Sequence, residues 1–400
     1  MEALRTGDWL TRERVTRIAA ISAAFGVAML AFLWLAGHGT LDYFGKPIGS
    51  DFTAFWSAGH IADSSNPARA WDQALLNEAV RAKHGADYGT AWLYPPVFLF
   101  AAAPLGALPY LPALLLWQIL SLSLAAAVLK AILKDWRDTL IALASPLSPL
   151  VLANGQNSFL TAALLGLGLV LAQRRPATAG ALLGGLVYKP QLGLVIAPYL
   201  LLTRNWRALG AAIAVAVALV AVSVSLWGIE SWSAFASSLA YGRVYMEQGA
   251  VGFFKSVSLF AMAREWGSSV DLAYVIQMVG VLGGAWILWT IRKTEEFVRA
   301  AGVCLAAAFS TPYLLDYDMT VVGIGAAFLY AEAMRTRFAP YERSILAFVW
   351  IAPWISRPAA QYTTIPLGVI AMLLLAWMSY RRVRHGIAIP PFTCSVCPVT

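Results

Sequence analysis

The stretch ALGAAIAVAVALVAVSVSLWG, residues 208–228, contains no charged side chain and nothing more polar than serine. A helix that crosses a membrane needs about 20 such residues in a row. Arg204 and Arg207 stand directly before the stretch, and other apolar runs separated by basic loops recur along the chain. The pattern predicts an integral membrane protein built from helices, because the strands of a transmembrane barrel are shorter and alternate apolar with polar residues.

The composition of the whole chain agrees with this interpretation. Of its 400 residues, 60% are hydrophobic and only 12% are charged, whereas a soluble domain carries about 25% charged residues. Such a chain cannot be a disordered protein, a disulfide scaffold or an ordinary soluble enzyme. The net charge of +8 resides in short loops between apolar runs, as the positive-inside rule requires, and does not indicate a nucleic-acid partner.

We expect an all-α polytopic fold with about 10–13 transmembrane helices. The chain is interpreted as a single polytopic transmembrane domain over 1–385, followed by a tail over 386–400 that carries Cys394 and Cys397. Residues 18–36 follow a basic segment and are typical either of a signal peptide or of an uncleaved first span; the many later runs favour the span. Basic loops then place both termini in the cytoplasm. The apolar runs lie at about 95–129, 139–153, 158–173, 178–202, 208–228, 270–291, 297–315, 318–334, 344–356 and 362–380.

Polar segments between the runs are predicted to meet on one side of the membrane. The longest is the outward loop region 37–94, in which 71–84 is typical of a short surface helix. The run 95–129 is broken by prolines, and the run 178–202 is broken at Lys189. If the loops alternate sides, five polar segments fall on the outer side and predict one polar site there: 50–52, 94–96, 155–157, 189–191 and 316–318.

Asp51 is the strongest candidate for chemistry. A carboxylate beside aromatic residues at a membrane surface is costly to desolvate, and such a group can act as a general base. The alternative is that Asp51 caps the N-terminus of the helix that follows it. The residue types alone leave both interpretations open.

The other candidates are polar residues that interrupt apolar runs. Gln156 and Asn157 can hydrogen-bond hydroxyl-rich ligands, or they can simply form a turn between helices. Lys189 can neutralise a phosphate, or its side chain can extend to the lipid headgroups. Arg243 and Lys255 carry the same two interpretations in the outward segment 229–268.

The late segment supplies Tyr313 and Asp316, which would face a sugar or an acceptor or would be solvated in a turn. The histidines lack the i,i+4 spacing typical of metal sites, and the residues demand no metal, although a divalent ion beside Asp51 stays open. No cofactor is implied, and no nucleotide-binding motif is present in the sequence.

The order of these motifs resembles glycosyltransferase family 87, over about residues 45–330. The matching motifs are Asp51-Phe52-x-x-Phe55-Trp56-x-Ala58-Gly59, Asn66-Pro67, Trp71-Asp72, Tyr94-Pro95-Pro96, Pro104-Leu105, Gly155-Gln156-Asn157, Ala179-Gly180-x-x-x-Gly184, Lys189-Pro190 and Thr311-Pro312-Tyr313-x-x-Asp316-Tyr317-Asp318. The late motif departs from relatives that often carry histidine after Ser-Pro, because Tyr313 stands at that position here.

The resemblance implies a C-type glycosyltransferase fold. It implies transfer of a hexose, with mannose favoured, from a polyprenyl-phosphate donor to a glycan or glycolipid acceptor at the outer face of the membrane. Asp51 would be the catalytic base of an inverting reaction, Lys189, Arg243 and Lys255 would bind the donor phosphate, and Gln156, Asn157, Tyr313 and Asp316 would bind the sugar or acceptor. Membrane lipids are the remaining partners.

Two other functions explain some of the same residues. A transporter or flippase of a lipid-linked sugar would share the apolar spans and the broken helices. An assembly protein would have polar loops that only solvate its surface. A cavity that contains both Asp51 and Lys189 would argue against the assembly protein.

Overall fold

A computed structural model describes residues 1–64 and 66–385. The tail over 386–400, with Cys394 and Cys397, lies outside the described residues. Within these residues every regular secondary-structure element is a helix, and the only β contacts are isolated bridges. The predicted all-α class is therefore confirmed, and with it the helical character of this membrane protein.

Nineteen α-helices and five short 3₁₀ turns follow one another in the described part of the chain. The α-helices are α1 (Glu2–Thr6), α2 (Arg12–Leu35), α3 (Phe52–Ser64), α4 (Gln73–His84), α5 (Leu99–Gly106), α6 (Tyr110–Leu133), α7 (Trp136–Leu143), α8 (Leu147–Asn154), α9 (Ser158–Leu171), α10 (Pro176–Gly184), α11 (Pro190–Gly193), α12 (Ile196–Leu202), α13 (Trp206–Glu247), α14 (Leu259–Glu265), α15 (Val270–Ile291), α16 (Glu296–Phe309), α17 (Met319–Arg335), α18 (Glu342–Thr363) and α19 (Leu367–His385). The 3₁₀ turns are Pro67–Trp71, Pro96–Phe98, Gly185–Tyr188, Phe253–Lys255 and Asp316–Asp318.

Four of the described helices, α2, α6, α13 and α15, are long and apolar enough to cross a membrane by themselves. Shorter apolar helices fill the regions between them, and the chain is a multi-pass membrane protein. The expected count of 10–13 spans is not tested by these helices and stays a prediction. Helix α13 is not continuous, because Gly228 has φ 75° and ψ 159° and divides it where the quoted apolar stretch ends.

The predicted breaks in the apolar runs are present. The run 95–129 divides into a 3₁₀ turn, α5 and α6, with Ala107, Leu108 and Pro109 between the two helices. The run 178–202 is interrupted at Lys189, between a 3₁₀ turn and the short α11. Because a proline follows Lys189 directly, the helix ends there: the residue before a proline is disfavoured in helical conformation.

The region 37–94 is more ordered and more buried than the expected outward loop. Ten of the thirteen residues of α3 are buried, and the helix packs tightly on α5, where a Cβ on Gly59 would lie 1.9 Å from the Ala102 carbonyl oxygen. The aromatic motif that begins at Asp51, which was expected in a loop, is therefore part of an internal helix. Its aromatic residues explain the burial. The predicted surface helix is α4, whose Leu76 and Val80 face the core.

The Gly180-x-x-x-Gly184 pair lets α10 approach α13 closely. A Cβ on Gly180 would lie 2.1 Å from the Ala208 carbonyl oxygen, and one on Gly184 would lie 2.4 Å from that of Ala212. Small residues on both helices allow backbone contact, which is the main source of helix association in lipid. This motif of the resemblance therefore positions helices and does not contact the candidate site.

Gly180→Ala is expected to destabilise the protein by about 1–3 kcal/mol, because its methyl group overlaps the α13 backbone. The matched control is Gly210→Ala, since a Cβ at Gly210 meets no atom within 4 Å. Thermal unfolding in detergent measures both variants. Equal melting temperatures for Gly180→Ala and the wild type would contradict the close contact.

Candidate functional site

A cavity of about 820 Å³ brings together most of the predicted polar segments. Its wall comes from the loop before α3, the turn between α8 and α9, the break at Lys189 and the 3₁₀ turn Asp316–Asp318, while α2 and α13 add apolar side chains. The charged lining residues are Asp42, Lys46, Asp51, Lys189, Lys255, Asp316, Asp318 and Arg357. Segments that are distant along the sequence thus form one site.

Asp51 lies at the start of α3 with its carboxylate toward this cavity. Its Oδ2 accepts a hydrogen bond from Gln156 Nε2 at 2.9 Å. The backbone N–H groups of Thr53 and Ala54 instead donate to the carbonyls of Gly49 and Asp51. The carboxylate is therefore held by a side chain and not by the first turn of α3, which argues against the helix-cap interpretation.

Burial raises the pKa of Asp51 above its ordinary value, and the Gln156 hydrogen bond partly offsets this. Asp316 raises it further, while Lys255 and Arg357 act in the opposite direction. A carboxyl group in such surroundings gains proton affinity and becomes a better base than an exposed one.

The turn that carries Gln156 requires glycine before it. Gly155 ends α8 with φ +64°, and a Cβ there would lie 2.6 Å from that of Phe52. The Gly155 carbonyl accepts a hydrogen bond from the Trp117 indole at 3.0 Å. Gln156 is oriented in turn, because its Oε1 accepts from the Asn157 backbone N–H at 3.0 Å. The segment can therefore form a turn between helices and still present Gln156 to a ligand, so the two interpretations are compatible.

Lys189 is buried beside Asp318 and does not extend toward a surface. Its Nζ lies 2.6 Å from Asp318 Oδ1 and donates to Asn157 Oδ1 at 3.2 Å. Ser158 Oγ also donates to Asp318 Oδ1, at 3.0 Å. A buried lysine already bonded to a carboxylate has little positive charge to offer a further anion, so the geometry favours a structural role.

A second ion pair forms the wall nearest α18. Asp316, which is buried, accepts from Arg357 Nη2 at 2.6 Å and Nε at 2.8 Å on the same oxygen, Oδ2. The Arg357 side chain keeps 34% of its surface exposed. Because the guanidinium has five N–H donors, Arg357 can bind Asp316 and still present donors to the cavity.

Two cations that line the cavity, Lys255 and Lys46, have no carboxylate within ion-pair distance among the described residues. The first of them, Lys255, lies near Asp51. It is half-buried in the 3₁₀ turn after α13, and its Nζ lies 5.9 Å from the centre of the Phe254 ring. Burial and the nearby charges of Arg357 and Lys46 lower the pKa of Lys255. An anion bound among these three cations would relieve their mutual repulsion.

The other predicted residues divide into three groups. Tyr313 lines the cavity. Asn157 is fully buried behind it and supports Lys189. Arg243 is exposed, does not line the cavity and pairs with Glu247 at 2.7 Å. The structure thus brings Asp51, Gln156, Lys189, Lys255, Tyr313 and Asp316 together and leaves Arg243 outside.

Two residues escaped prediction although the sequence carried a signal for them. Asp318 belongs to the late motif, but nothing in the chain order shows that it would face Lys189 rather than solvent. Arg357 interrupts the apolar residues between 344–356 and 362–380 and lies between Pro353 and Pro358 inside α18. An isolated arginine in an apolar helix is the same signal that drew attention to Lys189.

The helical membrane bundle thus encloses a partly buried carboxylate, several cations and aromatic side chains in one cavity. The model of Glycosyltransferase family 87 matches residues 92–315, more than half of the chain. The chain belongs to this family and is a membrane glycosyltransferase, which confirms the resemblance of its motifs. No curated protein and no solved structure matches the chain. The matched region includes Gln156, Lys189 and Lys255, whereas Asp51 and Arg357 lie outside it.

Lys189→Met is expected to destabilise the protein by about 3–5 kcal/mol, because it leaves the buried Asp318 carboxylate unpaired. The double variant Lys189→Met with Asp318→Asn removes both charges and recovers much of this loss. Thermal unfolding in detergent provides the measurement, and Arg243→Met, at an exposed ion pair, serves as the control with unchanged stability. A single variant as stable as the wild type would show that the pair does not hold the site together.

Proposed function

We propose that the protein transfers a hexose, with mannose as the first candidate, from a polyprenyl-phosphate donor to a hydroxyl group of a glycan or glycolipid. The observation that carries this proposal is the composition of one cavity. Asp51, which forms no ion pair within residues 1–64 and 66–385, and the cations Lys255 and Lys46 line the same space as apolar side chains of α2 and α13. A sugar joined through phosphate to a long lipid combines the chemical groups that such a space accommodates.

The reaction needs one base and one site for a leaving phosphate. The acceptor oxygen attacks C1 of the sugar while Asp51 takes the proton of that hydroxyl. The bond between C1 and the phosphate oxygen breaks, and its electron pair leaves with the polyprenyl phosphate. A single displacement of this kind inverts the configuration at C1. General-base assistance contributes about 10²–10⁴-fold to such a rate.

The leaving phosphate is assigned to Lys255 and Arg357. Both are partly exposed in the cavity, and they lie close enough to affect each other's charge. Lys189 is a weaker candidate because Asp318 already neutralises it, and Arg243 lies outside the cavity. Cations fixed in place before the reaction stabilise the developing negative charge without reorganisation.

The sugar is assigned to the wall that contains Gln156 and Tyr313. Tyr94 and Tyr188 line the same cavity and belong to an aromatic cluster around Phe98, whose ring centre lies 4.7 Å from that of Tyr94 and 5.1 Å from that of Tyr188. Aromatic faces with a few polar groups are typical of sites that bind small organic ligands.

The same proposal extends to the fold and the location. We infer a C-type glycosyltransferase fold in a single domain over 1–385, with both termini in the cytoplasm of a bacterial inner membrane and the cavity open to the outer side. The basic loops and the position of the cavity at one end of α2 support this orientation. The transporter alternative is less well supported, because the family is one of enzymes.

Asp51→Asn is expected to lower the rate of transfer by at least about a hundredfold, since the amide cannot accept the proton. The assay follows labelled sugar from a polyprenyl-phosphate donor into product with purified protein. Asp63→Asn is the matched control, because Asp63 is exposed on the same helix and does not line the cavity. Full activity of Asp51→Asn in folded protein would remove Asp51 from catalysis.

The pH dependence of kcat/KM offers a second test of the base. Asp51 must be ionised to accept a proton, so activity should fall as the pH falls through its raised pKa. Gln156→Leu removes the hydrogen bond that lowers this pKa, and the acid limb is expected to move to higher pH.

The control for this shift is Gln191→Leu, at a residue that lines the cavity but does not bond to Asp51. Its acid limb should coincide with that of the wild type, whatever its effect on the rate. An acid limb that stays in place in Gln156→Leu would mean that another group sets it.

A further inference from the structure

Two smaller cavities continue from the candidate site along α18. The first, of about 160 Å³, shares Met29, Leu150, Asp316 and Arg357 with the main cavity. The second, of about 210 Å³, is lined almost entirely by apolar side chains and shares Pro353 with the first. The three spaces therefore follow one another, with the Asp316–Arg357 pair at the first junction and Pro353 at the second.

Three helices line all three spaces in the same order. Along α18, Leu346 and Val349 face the 210 Å³ cavity, Trp354 faces the 160 Å³ cavity, and Arg357 reaches the main one. At 1.5 Å per residue, Leu346 and Arg357 are about 16 Å apart along the helix axis. Helices α2 and α8 show the same progression, and the α2 residues in it are Val15, Ser22, Phe25, Met29 and Leu33.

The middle of this path faces outward between α2 and α18. Helix α2 rests on α8, where a Cβ on Gly26 would lie 3.0 Å from Pro149 Cγ. Phe25 and Trp354 meet across the gap with their ring centres 5.1 Å apart, and both rings are about half exposed. Because the two half-exposed rings pack on each other across the gap, rotamer changes of Phe25 and Trp354 can open the path to lipid.

The far end of the path is closed by polar groups. Tyr330 Oη donates to Asp138 Oδ2 at 3.1 Å, and both side chains line the 210 Å³ cavity. The remaining lining is aliphatic or aromatic apart from small hydroxyl side chains. An apolar space of this size stays dry and accepts apolar ligands: an engineered cavity of about 150 Å³ in another protein binds benzene.

We propose that this path, which we name the α18 seam and define by Leu346, Val349, Pro353, Trp354 and Arg357, holds the isoprenoid chain of the lipid-phosphate donor. The inference rests on the proposed function, because its occupant is the lipid of that donor. The phosphate stays at Arg357 and Lys255, and the chain runs from there past Phe25 and Trp354 into the apolar cavity. Cations at one end and a mainly apolar lining along the rest of the path match an amphiphile with a single anionic head.

The seam also explains two features that the proposed reaction leaves unused. Pro353 and Pro358 each remove a backbone donor from α18, and small residues of α17, among them Gly323 and Ala326, keep the 210 Å³ cavity open. A bundle that only needed stability would fill such a space, because unfilled core volume destabilises a fold.

Gly323→Leu fills the cavity from α17 without a backbone clash, since a Cβ at Gly323 meets only Leu147 Cδ2, at 3.7 Å. The matched control is Gly283→Leu on α15, where a Cβ meets no atom within 4 Å and no described cavity is lined. Ala326→Leu fills the same cavity from a second position and replaces Gly323→Leu if that variant does not fold.

The test measures binding of undecaprenyl phosphate and of geranyl phosphate to the purified full chain in detergent, by native mass spectrometry. The wild type should bind the long lipid at least about tenfold more tightly, because each further buried CH₂ group adds affinity. Gly323→Leu should lose at least about tenfold for undecaprenyl phosphate and nothing for geranyl phosphate, and Gly283→Leu should match the wild type for both.

Unchanged binding of undecaprenyl phosphate to Gly323→Leu and Ala326→Leu would overturn the seam. The seam would also be overturned if phosphatidic acid competed for the site with the same affinity as undecaprenyl phosphate, because the site would then bind any anionic membrane lipid. Neither probe carries a sugar, so the binding result does not depend on sugar transfer. A protein that binds the long lipid through the seam but transfers no sugar would contradict the proposed function and would still support the seam.

Discussion

The buried ion pair between Lys189 and Asp318 joins three interruptions of the helical bundle. Lys189 lies at the break before α11, Asp318 lies in the 3₁₀ turn before α17, and Asn157 and Ser158, which bond to the pair, begin α9. Taking two charges out of water is costly, and removing either partner of the pair would leave an uncompensated buried charge. The three segments are therefore held in one arrangement, and the floor of the cavity is fixed before any substrate arrives.

This arrangement separates structural charges from reactive ones. Asp318 neutralises Lys189 and Asp316 binds Arg357, whereas Asp51 and Lys255 face the cavity without an ion-pair partner in the part of the chain that the structure describes. Asp51 is then available to exchange a proton. Lys255 and the exposed N–H donors of Arg357 are available to bind an anion. In the proposed displacement, groups that such ion pairs hold in place would need little reorganisation.

Much of the architecture could be predicted from the sequence, and the reasons are local. Long charge-free stretches such as 208–228 predict helices in lipid, and a proline after Lys189 predicts the break at that position. The burial of α3 could not be predicted in this way, because a polar flank around an aromatic motif is equally typical of a loop. The burial of ten residues of α3 and the packing of Gly59 against Ala102 show that this segment is internal.

The membership of the site was harder to predict than its existence. Alternation of the loops brought Asp51, Gln156, Lys189 and Asp316 to one side, and all four line the cavity. Alternation cannot tell which charges pair with each other, so it did not indicate that Lys189 pairs with Asp318, and Arg357 was absent from the prediction. Both facts depend on contacts between segments more than 40 residues apart, which a periodic pattern along the chain does not contain.

The most direct test of the central claim is a cryo-electron microscopy structure of the protein with a polyprenyl phosphonate sugar that cannot be cleaved. The account predicts that the phosphonate contacts Lys255 and Arg357 and that C1 of the sugar leaves room, about 3–3.5 Å away, for an acceptor oxygen within reach of Asp51. A phosphonate bound beside Arg243, or a sugar on the side of the cavity away from Asp51, would contradict the account.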